Sequence, residues 1–473
     1  MEKSELSEES ESDWAEMEFG PCDFGDKRLD KRLELIASTF ARSPGASIPK
    51  GSVHWKGAKG SYRFFNNEKV TPERILFPHT ESTKNRFENR PVILAIQDTT
   101  VLNYSSHKAT SGLGPGGNRE DRGLILHPTL AVSVDGTPLG ILNLQVWERD
   151  EEWFSELSRD ARRKIKLEDK ESFKWIKSYR EICKIQAEKD NNVSFVTVCD
   201  REGDMYDFFL DHYKANEEHQ PAADILVRAS KNRKLEENST YLWDFMNSLD
   251  HFDEYTIQAP RRVGKPAREV SLELRYSEVT IRRPHHRDKP KENPSLKLYA
   301  VYTMEKNPPK GEEPISWMLL TTIPVLNYED AVEKIEWYMN RWVIEIFFKT
   351  LKSGCKTEER QLKTVDSLKS CITVDCIIAW RILFLTLIGR ELPNLSADVI
   401  FTDYEWKALH CKTFQTSVIP KSVPTLHTVM IQVARLAGFL ARKGDGFPGP
   451  KLMQEGLKIL YEIAQLYKIL TYG

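Results

Sequence analysis

Five polar side chains form a strip on an otherwise apolar stretch, YMNRWVIEIFFKTLKSG, from Tyr338 to Gly354. Wound as one helix at about 100° per residue, Tyr338, Arg341, Glu345, Lys349 and Lys352 fall within about 80° of arc. Trp342, Val343, Ile344, Ile346, Phe347, Phe348 and Leu351 cover the rest of the circumference. A surface helix does the reverse, with one apolar stripe and a broad polar face. A carboxylate among apolar neighbours carries a large desolvation cost unless a partner or an ion meets it. Arg341 at i−4 and Lys349 at i+4 could meet Glu345 in an internal ion-pair ladder. That ladder leaves Tyr338 and Lys352 without a role. A site that holds nucleic-acid phosphate gives all five a role, with Glu345 binding a metal and the other four holding the backbone beside it.

Two further acids stand where buried strands end: Asp98 after VILAI (92–96) and Asp200 after VSFVTVC (193–199). A lone Asp at a strand end is usually a turn former. Two on neighbouring parallel strands would line one sheet edge with hard oxygen donors suited to Mg²⁺ or Mn²⁺. Glu345 is the third acid of such a set.

The elements that must position these residues follow from periodicity. LHPTLAVSV (126–134) and TPLGILNLQVW (137–147) are strands joined at Asp135-Gly136, a hairpin turn signal. KESFKWIKSYREICKIQAEK (170–189) is an amphipathic helix, and three strands, a helix and a strand in this order predict a mixed α/β sheet. Upstream, GDKRLDKRLELIASTFARSPG reads as a helix capped by Asp26, with Leu29, Leu33, Ile36 and Phe40 on one face. A helical stretch surrounds GAKGSYRFFNN, and TPERILF begins another, with Thr71 as cap and Pro72 in its first turn. From about 222 to 325 the chain is β-rich and basic, and beyond 328 it is helical. SGLGPGGNREDRG (111–123) lacks the Gly-Lys-Ser/Thr of a phosphate loop and leads into a strand, so it reads as a mobile loop over the site. Cys371 and Cys376 read as helix core, and His285 and His286 as part of a solvated or DNA-facing loop.

Composition narrows the class. With 40% hydrophobic and 29% charged residues the chain reads as soluble and globular. The most apolar run, CIIAWRILFLTLIG, is shorter than a membrane span and carries Arg381, so no membrane segment is expected. The first residues lack an apolar signal core. Seven cysteines with no C-x-x-C pair argue for a reducing compartment, here the cytoplasm, and against a disulfide frame or zinc site. The net charge of −2 counts against a nucleic-acid partner. Residues 1–18, however, hold eight acids against Lys3, and without them 67 basic face 62 acidic residues, a net of +5. The clusters RASKNRK (228–234), RRVGKPAR (261–268) and RRPHHRDKPK (282–291) could track phosphates or be ordinary solvated loops.

The Tyr-x2-Arg-x3-Glu-x6-Lys spacing from Tyr338 to Lys352 resembles the signature of the insertion-sequence-four group of bacterial DDE transposases. The likeness extends to GDKRLDKRL, GSYRFFNN, AIQDTT, VCDREGDMYDFF and VARLAGFLARKGDG, in order along nearly the whole chain. It implies an RNase H-like catalytic core with an inserted antiparallel β-domain before the third acid, flanked by an N-terminal helical DNA-binding domain and a C-terminal helical dimerisation domain. The 144 residues between Asp200 and Glu345 leave room for the insertion. The expected bounds are an acidic disordered tail over 1–18, the DNA-binding domain over 19–85, the first part of the core over 86–221, the β-domain over 222–327, the signature helix over 328–372 and the dimerisation domain over 373–473.

The resemblance makes Asp98, Asp200 and Glu345 the catalytic, metal-binding acids. It implies two Mg²⁺ ions per site, with Mn²⁺ substituting. It gives phosphate contacts to Tyr338, Arg341 and Lys352, and further DNA contacts to Lys349 and Arg228. Trp317 would stack on a base flipped out at the transposon end, although a Trp in a β-segment is by itself more often core. The implied partners are transposon-end DNA, target DNA and a second copy of the chain, with Met430, Val433, Leu436 and Leu440 at the dimer face. The implied reaction is cut-and-paste transposition through a hairpin intermediate.

Overall fold

The computed structural model describes residues 14–52, 55–154, 165–188, 193–250, 253–259, 268–284 and 293–472. Residues 1–13 of the tail, residues 261–267 and 285–291 of the basic clusters, and with them His285 and His286, lie outside the described residues.

The N-terminal helices are α1 (Trp14–Phe19), α2 (Lys27–Arg42), α3 (Ile48–Gly51), α4 (Trp55–Phe65) and α5 (Pro72–Asn85). Asp26 caps α2 by accepting from the Arg28 amide, and Thr71 caps α5 by accepting from that of Arg74. Both caps were legible as Asp and Thr just ahead of an apolar period. The acidic tail is shorter than its composition suggested, because residues 14–18 belong to α1. Ala15 and Phe19 are buried there, and Glu18 is only 2% exposed. Glu18 accepts from His79 Nδ1 at 2.5 Å and pairs with Arg86. His79 Nε2 accepts from the Ile141 amide, which leaves the ring proton on Nδ1 for Glu18. Burial pulls the His79 pKa below its ordinary value, in keeping with a neutral ring.

Among the described residues eleven strands form one sheet in the order β2-β4-β1-β6-β7-β11-β10-β9-β8, with β3 and β5 also on β4. They are β1 (Val92–Gln97), β2 (Thr100–Asn103), β3 (Gly114–Pro115), β4 (Arg122–Ser133), β5 (Pro138–Trp147), β6 (Ser194–Cys199), β7 (Asp224–Arg228), β8 (Asp253–Ala259), β9 (Arg268–Ile281), β10 (Leu296–Glu305) and β11 (Ser316–Thr321). β1, β6 and β7 run parallel, and the other pairings are antiparallel. Ile93, Ala95, Phe195 and Ile225 face α6 (Phe173–Glu188) and α7 (Tyr206–Glu217). Leu94, Ile96, Val196 and Val198 face the helices of the signature region. Burial on both faces is why VILAI and SFVTV read as unbroken apolar runs.

Two sequence-based boundaries shift. β7, expected in the inserted unit, is a central strand parallel to β6, and β11 pairs with it through Leu319↔Arg228. The β-rich region therefore continues the central sheet, beginning after Arg228. No change of composition marks the spot, since ADILVRAS suits either assignment. The signature segment, in turn, is not one helix. α9 (Tyr328–Met339) and α10 (Trp342–Lys349) are separated at Asn340–Arg341, and a π-turn follows at Thr350–Gly354. At the break Arg341 N bonds Tyr338 O, and the Asn340 side-chain amide donates to Val134 O at 2.8 Å in the β4–β5 hairpin. A contact from 206 residues away competes there with the helical ladder.

A short helix, α8 (Leu242–Asn247), follows β7, and four helices close the chain: α11 (Val365–Glu391), α12 (Asp403–Phe414), α13 (Leu426–Leu436) and α14 (Pro450–Tyr472). Among the described residues α11 alone is long and apolar enough to cross a membrane, yet 83% of its most apolar window is buried inside the protein. Cys371 and Cys376 are fully buried on it. Met430 and Val433, expected at a dimer face, are instead fully buried in the chain's own C-terminal core with Leu409, Met453 and Leu460. Their i, i+3 spacing fits either packing, and α14 is what covers them. The crossing is close at Gly456, where a Cβ would meet the Val433 carbonyl oxygen at 2.0 Å. The 111–123 loop is tied down rather than free, with Ser111 N donating to Lys363 O and Val365 N to Ser111 O.

Candidate active site

Ile96 and Val198 are partners in the parallel β1–β6 register. Asp98 and Asp200 each lie two residues further on, so both leave the sheet at one level of the same edge. Cys199 pairs with Val227, which sets Arg228 beside Asp200. The Asp98 turn is fixed by Thr99 N, donating to Asp98 Oδ1 at 2.7 Å, and by fully buried His127 of β4. Burial pushes the His127 pKa well below its ordinary value, so the ring is neutral. Its Nδ1 accepts from the Thr99 hydroxyl at 2.8 Å, and its Nε2–H donates to Gln97 Oε1 at 3.1 Å. The Asp200 turn is tight. Asp200 Oδ1 accepts from the Glu202 amide, and a Cβ on Gly203 would meet Cys199 Cβ at 2.6 Å.

The third acid reaches this edge through Arg341. Its Nη1 donates to Asp98 Oδ2 at 2.9 Å and its Nη2 to Glu345 Oε1 at 3.3 Å. The break between α9 and α10 falls at Arg341, which aims one guanidinium at both carboxylates. Burial pushes the Asp98 pKa up to about 6, the nearby Asp200 and Glu345 charges add to the rise, and the Thr99 amide and Arg341 oppose it. Among the described residues no three His, Cys, Asp or Glu side chains stand close enough to share an ion. The donor set nevertheless suits a divalent ion. All its donors are hard carboxylate oxygens.

The remaining predicted residues sort around this centre. Tyr338 is 5% exposed, and its ring meets Trp317 with centroids 6.1 Å apart at 60°. Burial raises the Tyr338 pKa, with Arg341 and Arg228 opposing and Asp200 adding to the rise. Arg228 donates through Nη2 to Ser316 O at 2.8 Å, beside Trp317. Lys352 donates to Val101 O at 2.7 Å on β2, and Lys349 is exposed. The structure thus places Arg341, Arg228, Tyr338 and Trp317 around the edge that carries Asp98 and Asp200, ties Glu345 to it through Arg341, and leaves Lys349 exposed. Sequence reasoning missed His127 and Asp204. The first was visible as the one histidine inside the apolar strand LHPTLAVSV, the second as the last acid of DREGD.

Carboxylates at a sheet edge, with Arg and Tyr side chains beside them, can bind cations and phosphodiesters together. Two stretches of the chain match known families. Residues 11–70 match Transposase DNA-binding, and residues 377–470 match the Transposase Tn5 dimerisation domain. The class these matches support is a transposase, a DNA-processing protein that binds DNA and pairs with a second copy of itself. Within that class they support a Tn5-type transposase. The acids lie in the segment between the two matches.

Proposed function

We propose that this chain is a metal-dependent DDE enzyme that moves a bacterial insertion sequence by cutting it out and pasting it into target DNA. The observation that supports the reading is the placement of Asp98 and Asp200 at the ends of adjacent parallel strands, with Glu345 tied to Asp98 through Arg341. In this reading the central sheet is an RNase H-like core and the strands after Arg228 are its insertion. Asp98, Asp200 and Glu345 would hold two Mg²⁺ ions, with Mn²⁺ able to substitute. Such an ion pair supplies an activated water and charge neutralisation for in-line displacement at phosphorus.

The chain's own groups do the rest. Asp98 and Glu345 would exchange the Arg341 guanidinium for an ion, which frees Arg341 for a phosphate oxygen. Lys352 and Lys349 extend the cationic rim along the backbone. Trp317, already edge-on to Tyr338, would take a base flipped out as the DNA end folds into a hairpin. One site would serve end cleavage, hairpin formation, hairpin opening and strand transfer, since each step is a displacement at phosphorus. A dimer would hold both ends in one synaptic complex, in the cytoplasm of a bacterial cell.

The test is to incubate the purified chain with DNA carrying the sequences that flank its gene, with Mg²⁺ or Mn²⁺. Nicked ends, hairpins and inserted products are expected, and Trp317→Ala should reduce hairpins by about 10-fold or more, the loss of a base-stacking contact. Nicking without hairpin or insertion would leave a nuclease. Binding without any cutting would leave a DNA-binding protein.

A further inference from the structure

A fully buried carboxylate lies beside the acids at the sheet edge, and its oxygens turn toward a neighbouring loop. Asp204 is 1% exposed and closes the turn that begins at Asp200. Its Oδ2 accepts from the Ser230 amide at 2.7 Å, the Lys231 amide at 3.0 Å and the Ser230 hydroxyl at 3.2 Å. Arg233 grips the same residue, with Nη1 on Oδ2 at 3.0 Å, Nη2 on Oδ1 at 2.7 Å and Nη2 on the Asp204 carbonyl at 3.0 Å. These bonds cross from the end of β6 to the chain leaving β7. They tie residues 230–233 to Asp204, at the end of the turn that carries Asp200. Ser230, Lys231 and Asn232 are exposed on that loop, while Arg233 is turned inward by its ion pair.

Buried charge is costly unless paired and hydrogen-bonded, and Asp204 is both. An apolar residue would fill the position without that cost, but it could not fix the loop's amides relative to Asp200. We propose that Asp204 is a positioning residue, which holds the Lys231 loop in fixed register with Asp200 so that phosphate-binding and metal-binding groups act on the same phosphodiester. The proposal rests on the function proposed above. It adds a residue that touches neither DNA nor metal and works through the loop it holds.

The test is a double-mutant cycle on the full-length chain, with single-turnover nicking of end DNA at saturating DNA and a separate binding titration. Asp204→Ala is expected to slow nicking about 30-fold or more while shifting the binding midpoint less than about threefold, since misplacement falls on the rate. Lys231→Ala alone is expected to slow nicking about 10-fold, the loss of one charge-assisted contact. The double variant should be slower than Asp204→Ala by less than about threefold, because the loop is already released. Asp204→Asn keeps an acceptor for the two amides and strands only Arg233, so it should fall between wild type and Asp204→Ala. It also serves where the alanine variant fails to fold. If folded Asp204→Asn nicks at the wild-type rate, or if the two alanine losses simply multiply, Asp204 is structural and the proposal is overturned. A wild-type chain that binds end DNA and cuts it with no divalent ion sinks the proposed function itself, which the wild-type arm shows separately.

Discussion

Asp98→Ala is expected to lower end nicking by about 1,000-fold or more, some 4 kcal/mol of transition-state stabilisation, because it removes a carboxylate from a metal-binding set. DNA binding should change little, since the matched DNA-binding segment ends at residue 70, well before the strand that carries Asp98. Stability should not fall either. Burial raises the Asp98 pKa to about 6, with Asp200 and Glu345 adding to the rise. Net, the site disfavours the ionised carboxylate, and its loss leaves Arg341 paired with Glu345. A melting temperature equal to or above wild type, together with lost nicking, is the pattern of a residue kept for function at some cost in stability. A gel-shift titration, a thermal melt and a nicking time course check the three parts. Retained nicking, or lost binding in parallel with lost nicking, would remove Asp98 from the centre.

The largest stability effect is expected at Asp375. Arg360 and Asp375 form a bidentate pair, Nε to Oδ2 at 2.9 Å and Nη2 to Oδ1 at 2.7 Å, with the residues 3% and 0% exposed. Arg360 also donates to the Ala46 carbonyl and lies over the Phe40 ring, with Cζ 4.1 Å from its centroid. The pair therefore joins the N-terminal helices to α11 just past the signature segment. Removing one partner of a buried pair leaves a desolvated charge and costs about 3–5 kcal/mol. Asp375→Ala should lower the melting temperature by about 5 °C or more, a large share of a typical total stability. The double replacement Arg360→Met with Asp375→Leu removes both charges and fills the volume, so it should recover most of the loss. Equal destabilisation by the single and the double change would mean that packing, not the stranded charge, sets the cost.

What could be read from the sequence follows the range of the interactions. Asp98 and Asp200 were legible because strands buried on both faces leave unbroken apolar runs, and the polar residue that ends such a run marks the sheet edge. The Asp135-Gly136 turn and the Asp26 and Thr71 caps are equally local. Glu345 stood out because an acid on a nearly all-apolar segment needs a partner. Its partner at i−4 was correct, but Arg341 also reaches across 243 positions to Asp98, which no local pattern encodes. The break at Asn340–Arg341 was hidden for the same reason, since every residue there suits a helix and the competing bond comes from Val134. Met430 and Val433 show the limit of an apolar stripe, which tells that a face is covered but not by what. His127 and Asp204 act through neighbours, so their sequence signals, a His in a strand and a second acid in a turn, gain meaning only once the partners are placed.

Nicking by Asp98→Cys in Mg²⁺ and in Mn²⁺, with wild type alongside, decides whether Asp98 holds a metal ion. A thiolate is a poor ligand for Mg²⁺ and tolerates the softer Mn²⁺ better. If Asp98 holds a metal ion at the reacting phosphate, the variant should be inactive in Mg²⁺ and regain measurable nicking in Mn²⁺. Wild-type nicking by the cysteine variant in Mg²⁺ would mean that Asp98 holds no metal ion.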